Sequence, residues 1–336
     1  MPVFIIAEAG VNHNGEVSRA MEMIDVAAHA GADAIKFQSF NADKLASNLA
    51  EKAAYQKTET GDGGQRAMLK ALELSDVDHK LLFDHCHARG IEFMSTPFDE
   101  DAADMLVALG VKRIKIPSGE ITNLPFLRHL ARKPLPLILS TGMATLGEIG
   151  EALETIREVR GNTDAVTVLH CTSNYPADPA EVNLRAMTTI ATETGMAIGY
   201  SDHTLGLAVS TAAVALGATV IEKHFTLDRA LPGPDHRASL SPEELQQLVA
   251  QIRTVEVAMG SAEKAPTPSE IQTSKVVRRS VMARHDLAAG AIVQLEDLIL
   301  LRPATGIAPK HLDQLPGRRL TQAVGAGEPL TWDILA

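Results

Sequence analysis

Two stretches decide the fold: Ile198-Gly199-Tyr200-Ser201-Asp202-His203 and Val220-Ile221-Glu222-Lys223-His224-Phe225-Thr226. Each is a short apolar run that ends in a cluster of polar, chemically capable side chains. Between them, Leu207 to Gly217 is alanine-rich and reads as a buried helix, with Gly217 placed to stop it in a left-handed turn. Strand, helix and strand in that order predict a parallel pair, so His203 and His224 fall at the C-terminal ends of neighbouring strands. Two imidazoles there can hold a divalent metal and leave positions open for substrate. A single histidine would read as a hydrogen-bonded core residue; two at matching strand ends favour a ligand pair.

The same unit repeats on the N-terminal side. Candidate strands are Val3–Gly10, Ala34–Phe40, Glu92–Phe98, Arg113–Glu120, Pro136–Met143, Val166–Ser173, Ala197–His203 and Val220–Asp228. Helical apolar spacing lies between them, as in Ala20, Met23, Ile24, Ala27 and Ala28, or Ile149, Leu153, Ile156 and Val159. Gly31, Gly90, Gly110, Gly195 and Gly217 each sit just ahead of a strand. Eight alternations predict a parallel (β/α)8 barrel, with a doubly wound open sheet as the rival. One connection is too long for a simple βα loop: 41–75, containing Ala54-Tyr55-Gln56 and Gly61-Asp62-Gly63-Gly64. A surface insertion and a lid over the barrel mouth both stay open for it. The barrel is expected over 1–260, ending after a helix opened by Ser241-Pro242-Glu243-Glu244. Residues 261–275 read as a linker, and 276–336 as a small β-rich domain.

Composition narrows the function. The chain has 336 residues, 45% hydrophobic, with a formal net charge of −11. That charge argues against nucleic acid or an anionic membrane as partner, though local lysines can still bind a small anion. No apolar run is long enough to span a bilayer, and the N-terminal apolar run has no charged stretch before it. Two cysteines, Cys86 and Cys171, suit a reducing, cytoplasmic setting better than a disulfide framework.

In such a barrel the chemistry collects at the C-terminal strand ends. All eight predicted ends are polar, among them Glu8, Lys36, Thr96, Lys115, Ser140, His170, Ser201-Asp202-His203 and Glu222-Lys223-His224. Lys36 and Lys115, with hydroxyls of Thr96, Ser118 and Ser140 and the amides of Gly119 and Gly142, suit a phosphate and a carboxylate on one small molecule. Each lysine could instead balance a neighbouring carboxylate. Glu120, in the same ring, suits a general acid or base beside the metal. Cys171 reads as a small buried thiol, His13 as a loop or capping residue, and His236 as loop support. Asp235 can reach the metal shell through water.

The motifs Ala7-Glu8-Ala9-Gly10-Val11-Asn12-His13-Asn14-Gly15, Lys36-Phe37-Gln38, Ser95-Thr96-Pro97-Phe98, Ile116-Pro117-Ser118-Gly119-Glu120, Ser140-Thr141-Gly142-Met143, Ser201-Asp202-His203 and Glu222-Lys223-His224-Phe225 together resemble the sialic acid synthases. The tail resembles the antifreeze-like (SAF) domain that follows the barrel in that family. The resemblance implies condensation of phosphoenolpyruvate with an open-chain N-acetylmannosamine-type aldehyde, giving a nine-carbon sialic acid and releasing phosphate. It implies a cytoplasmic homodimer whose antifreeze-like domains are swapped over the partner's barrel mouth. It implies His203 and His224 as ligands of Mn2+ or Mg2+, with Glu120 as the acid–base residue. Lys36, Thr96, Lys115, Ser118, Ser140 and Ser201 would hold phosphoenolpyruvate. Glu8, Ser173, Asn174, Tyr175, Asp235 and Arg302 would face the sugar.

Two departures from the family pattern, Ser173-Asn174 and Arg302-Pro303-Ala304-Thr305-Gly306, fall where the sugar should bind. They bear on the sugar's identity more than on the reaction type, and Ala7-Glu8-Ala9-Gly10 and Glu120-Ile121-Thr122-Asn123-Leu124-Pro125 also resemble the branch that makes legionaminic acid. The expected activity is N-acetylneuraminate synthesis, with N,N'-diacetyllegionaminate synthesis from 2,4-diacetamido-2,4,6-trideoxymannose as the alternative. A metal-dependent aldolase on the same barrel, or a non-catalytic sugar-binding protein, are weaker alternatives.

Overall fold

A computed structural model describes residues 2–336. The eight apolar runs all form strands. In chain order the first unit runs β1 (Phe4–Gly10), α1 (Val17–Ala30), β2 (Ala34–Ser39), α2 (Ala42–Leu45), α3 (Ala54–Thr60), α4 (Gln65–Lys70), α5 (Asp76–Arg89) and β3 (Glu92–Pro97). It continues through α6 (Glu100–Leu109), β4 (Ile114–Ile116), α7 (Leu124–Ala131), β5 (Leu137–Ser140), α8 (Leu146–Arg160), β6 (Val166–Cys171), α9 (Ala186–Thr194), β7 (Ala197–Asp202), α10 (Ala208–Ala215), β8 (Val220–His224) and α11 (Pro242–Met259). The strands pair in parallel in the order β3-β2-β1-β8-β7-β6-β5-β4, and β3 lies beside β4 across the remaining seam. This is the closed (β/α)8 barrel and not an open sheet.

Alternation along each strand sorts its side chains into two layers. Outward residues such as Ile5, Ala7, Phe37, Ile116, Leu139, Val168 and Ile221 pack against the helices and form the main core. Inward residues Ile6, Ala34, Met94, Ile138, Leu169 and Val220 form a separate apolar plug inside the barrel. Gly199 on β7 faces this plug. A Cβ there would lie 2.5 Å from both Leu169 Cδ2 and the Val220 carbonyl oxygen, so only glycine lets the plug close. A methyl forced in would cost about 1–3 kcal/mol. Gly31, Gly90, Gly110 and Gly195 end their helices in the left-handed conformation.

The strands are shorter than the sequence suggests at their polar ends. The fourth stops at Ile116, because Pro117 ends the ladder and Ser118–Glu120 turn into a 3-10 helix. The long connection 41–75 is not a bare loop. It carries α2, α3 and α4, pinned by a bridge between Glu51 and Gly64 and by Lys52, which donates to the Gly61 carbonyl at 2.9 Å.

The second unit spans Ser261–Ala336. Its start differs from the expected linker, since Pro268–Val277 forms a helix (α12). Thr267 caps it and Glu270 completes a capping box, a start signal that composition alone disguised as a loop. Beyond it, β9 (Ser280–Ala283) and β10 (Leu298–Leu301) pair antiparallel. Single bridges and 3-10 turns surround a core of residues such as Val281, Val293, Leu315 and Leu330. Among the described residues, no helix is long and apolar enough to cross a membrane.

Candidate active site

The inward residues nearest the C-terminal strand ends converge on a cavity of about 300 Å³. Strand register puts them there. Glu8 pairs across with Lys36 on one side and His224 on the other, and Ser201 pairs with Cys171 and Glu222. Glu8, Lys36, Thr96, Lys115, Ser118, Ser140, Ser173, Tyr175, Ser201, His203 and His224 all line this space. These are sequence-predicted residues brought together from all eight strands or the loops that follow them.

The floor is ionic. Lys36 Nζ lies 2.7 Å from Glu8 and 3.6 Å from Glu222, and donates to Thr96 Oγ1 at 2.9 Å. Lys115 Nζ lies 3.0 Å from Glu222 Oε1, which also accepts from Ser201 Oγ at 2.9 Å. Both lysines thus make the carboxylate pairs that were the alternative to phosphate contact, while still facing the cavity. Burial works against a charge on Glu222, yet Lys115 and Lys36 together hold its carboxyl far below the usual range. Burial dominates at Glu8 instead and pushes it up to about 7 against the pull of Lys36. At Lys115, burial lowers the ammonium despite Glu222.

Among the described residues, four buried polar atoms on the cavity have no hydrogen-bond partner: Glu8 Oε2 and Glu222 Oε2, which face the Lys36 ammonium, and Ser140 Oγ and His224 Nδ1. Orphaned polar atoms this deep cost free energy unless something binds them. His203 and His224 have ring centroids 5.4 Å apart. His203 Nδ1 donates to the Thr172 carbonyl at 2.7 Å, so a metal would take the other ring nitrogen, Nε2. Burial lowers the proton affinity of His203, but Cys171 and the Thr172 carbonyl outweigh it and raise it. Burial, then the neighbouring His203 and Lys36, keeps His224 neutral, the form that can ligate. These donors fit a divalent cation held by two imidazoles. Among the described residues, no third histidine, cysteine or carboxylate completes a protein-only set, so oxygen from substrate or water would fill the remaining positions.

Several expected residues lie elsewhere. Glu120 is not on the cavity wall; its carboxylate turns toward Asn123 Nδ2, which donates at 2.6 Å within the 3-10 turn. Asn174 is exposed, and its side chain accepts from the Tyr175 amide. Asp235 is buried off the wall; burial pushes its carboxyl up to about 6, opposed by the charge of His203. Arg302 is exposed on the second unit.

His170, Asp202 and Lys223 belong to the outward layer, because each is one residue out of phase with the cavity-facing set. Asp202 and Lys223 form a buried ion pair at 2.9 Å, and His170 bonds the Val182 carbonyl. Cys171 lines the cavity, its sulfur 3.7 Å from His203 Nδ1. His13 accepts from the Gly15 amide, and His236 bonds Thr226 Oγ1 at 2.7 Å, so both serve loops. Gly142 has no room for a Cβ against Ser118 and Ser173, which keeps the Ser118 hydroxyl within 2.9 Å of its amide.

Sequence reasoning assigned no role to Glu222, Gln38 or Tyr55, yet all three line the cavity. Glu222 and Gln38 carried a signal, since each lies two residues from an assigned inward residue on the same strand. Tyr55 comes from the insertion, and strand spacing could not have found it.

A parallel barrel whose mouth gathers two lysines, two imidazoles and a set of hydroxyls defines a barrel enzyme for small anionic substrates. Residues 23–264 match the NeuB family and residues 278–336 the SAF domain, and the chain belongs to the NeuB family. An N,N'-diacetyllegionaminic acid synthase of Legionella pneumophila is 54% identical over 336 residues, covering 99% of this chain and 94% of that protein. Another from Campylobacter jejuni is 48% identical, covering 95% and 96%. The crystal structure of a sialic acid synthetase from Leptospira borgpetersenii, in complex with citrate, superimposes with a TM-score of 0.73 at 37% identity, covering 81% of this chain and 90% of that one. The chain is an enzyme, a synthase of the transferase kind.

Proposed function

We propose that this synthase condenses phosphoenolpyruvate with 2,4-diacetamido-2,4,6-trideoxymannose, forming N,N'-diacetyllegionaminate and releasing phosphate. The observation that carries this choice is the 54% and 48% identity to two legionaminic acid synthases over nearly the whole chain, against 37% to the sialic acid synthetase. Sequence reasoning ranked N-acetylmannosamine first; the similarity favours the other sugar.

The cavity chemistry supports the anionic half of the reaction. Lys36 and Lys115 carry the positive charge, and Thr96, Ser118, Ser140 and Ser201 offer hydroxyls to phosphate and carboxylate oxygens. Ser140 Oγ is a buried group with no partner of its own, so an arriving anion satisfies it. C3 of phosphoenolpyruvate forms the new bond to the aldehyde carbon, water adds at C2, and phosphate leaves with the C2–O bond. Glu120 is the group assigned to proton transfer. It sits one residue from Gly119 on the cavity wall, and serves once its carboxylate leaves Asn123. His203 and His224 would hold Mn2+ or Mg2+, which when bound supplies Lewis acidity toward the aldehyde. A cytoplasmic homodimer in which Arg302 reaches the partner's sugar belongs to the same proposal.

Phosphate release from phosphoenolpyruvate with manganese, measured in parallel on both sugars, tests it. Preference for the diacetamido sugar is the expected result. Higher kcat/KM on N-acetylmannosamine makes the chain an N-acetylneuraminate synthase, and silence on both overturns the function.

A further inference from the structure

Helix α3, within the insertion, has no buried residue of its own. Its sequence, Ala54-Tyr55-Gln56-Lys57-Thr58-Glu59-Thr60, contains one large apolar side chain, Tyr55. That ring does not serve the main apolar core. It reaches the cavity wall and packs on Tyr175 with ring centroids 5.2 Å apart. Tyr175 in turn lies 4.0 Å from His203 and 5.5 Å from His224, centroid to centroid. A continuous aromatic wall therefore runs from the imidazole pair outward, and Tyr55 is its far end. The helix is otherwise tied down by surface contacts, such as Glu59 to Arg237 at 3.2 Å.

We propose that Tyr55 is a specificity-determining residue for the sugar, one that packs its ring against the end of the molecule remote from the aldehyde. The proposal rests on the sialic-acid-synthase reading above. The aldehyde carbon must lie beside phosphoenolpyruvate on the lysine floor and near the imidazoles, so the rest of the sugar extends along the wall toward Tyr175 and then Tyr55. An aromatic face favours methyl and C–H groups over hydroxyls. The diacetamido-trideoxy sugar presents a C6 methyl and a C4 acetamido methyl at that end, where N-acetylmannosamine presents hydroxyls. Among the described residues, the Tyr55 hydroxyl accepts from Gln56 Nε2 alone, at 3.3 Å, so the ring and not the hydroxyl does the discriminating.

Steady-state phosphate release with manganese, varying each substrate at saturating levels of the other, tests the idea on wild type, Tyr55→Phe, Tyr55→Leu and Tyr55→Ala. Burying or losing about one methyl-sized contact is worth roughly tenfold. Tyr55→Ala should therefore raise KM for the diacetamido sugar about that much, leave KM for phosphoenolpyruvate within about twofold, and narrow the preference between the sugars. Tyr55→Phe should behave as wild type, and Tyr55→Leu, which keeps volume without the ring, should fall between; it also carries the test if the alanine variant does not fold. An unchanged preference in an enzyme that turns over either sugar overturns this inference alone. Equal rises in both KM values do the same. Silence of the wild type on both sugars overturns the functional reading and this inference with it.

Discussion

Glu222 Oε1 accepts from Lys115 and Ser201 at once, at 3.0 and 2.9 Å, while Lys36 stands 3.6 Å from its other oxygen. One buried carboxylate thus holds both cavity lysines in place. Glu222→Ala leaves two buried ammonium groups with Glu8 as their remaining acid. The expected cost is about 3–5 kcal/mol of stability, read by urea or thermal unfolding. Added phosphoenolpyruvate should raise the melting temperature of the variant more than that of wild type, because its anion replaces the lost carboxylate. An unchanged melting temperature would show that Glu222 is not the anchor.

Among the described residues, His203 and His224 have no third protein ligand beside them, so the cation should be removable. Dialysis against a chelator is expected to abolish phosphate release, with manganese restoring it. His203→Ala should lose the manganese stoichiometry seen by calorimetry, as well as turnover. Wild-type turnover in this variant, with metal present, would sink the metal site.

Among the described residues, the Glu120 side chain makes one hydrogen bond, accepting from Asn123 Nδ2. Glu120→Gln should consequently leave the melting temperature nearly unchanged. As the proton-transfer group it should still lower kcat by about 10²–10⁴-fold. Retained kcat would reduce Glu120 to a turn residue.

Burial, followed by neighbouring positive charge from His79 at His13 and Arg19 at His236, pushes both imidazoles down to about 4. Each is therefore neutral when folded at a pH where the unfolded chain, with its ordinary value near 6.5, already takes up a proton. Stability contributed by the neutral forms is complete above about 6.5 and falls as pH drops toward 4, by up to about 1.4 kcal/mol per pH unit for each imidazole. Melting curves across that window should be less steep in pH for His13→Gln than for wild type. Parallel slopes would remove His13 as a source.

The barrel was legible because the outward faces of the strands are mostly apolar and helices such as α1, α5, α6 and α9 end in a glycine. Strand ends were not, since Pro117 and the turn after it look like a continuation of Ile114–Ile116. The site was legible as residue types at strand ends, but not as directions. Glu222, Lys223 and His224 are all polar and all buried, and hydropathy cannot say which face the helices. Only pairing against β1 and β7 shows that Lys223 points out and its two neighbours in. Tyr55 and Asp235 come from connecting segments, where no period exists to read.

The opposite facing of Glu222 and Lys223 has a consequence for folding. Behind the cavity, Lys223 meets Asp202; inside it, Glu222 meets Lys115 and Lys36. If β8 slid by one residue against its neighbours, every side chain would change sides. Lys223 would enter the cavity beside two other ammonium groups, and Glu222 and His224 would be driven among the helices without partners. Such isolated buried charges are strongly unfavourable. The groups assigned to chemistry therefore also proofread the strand alignment. Neutralising one of them should loosen the choice of register as well as the reaction.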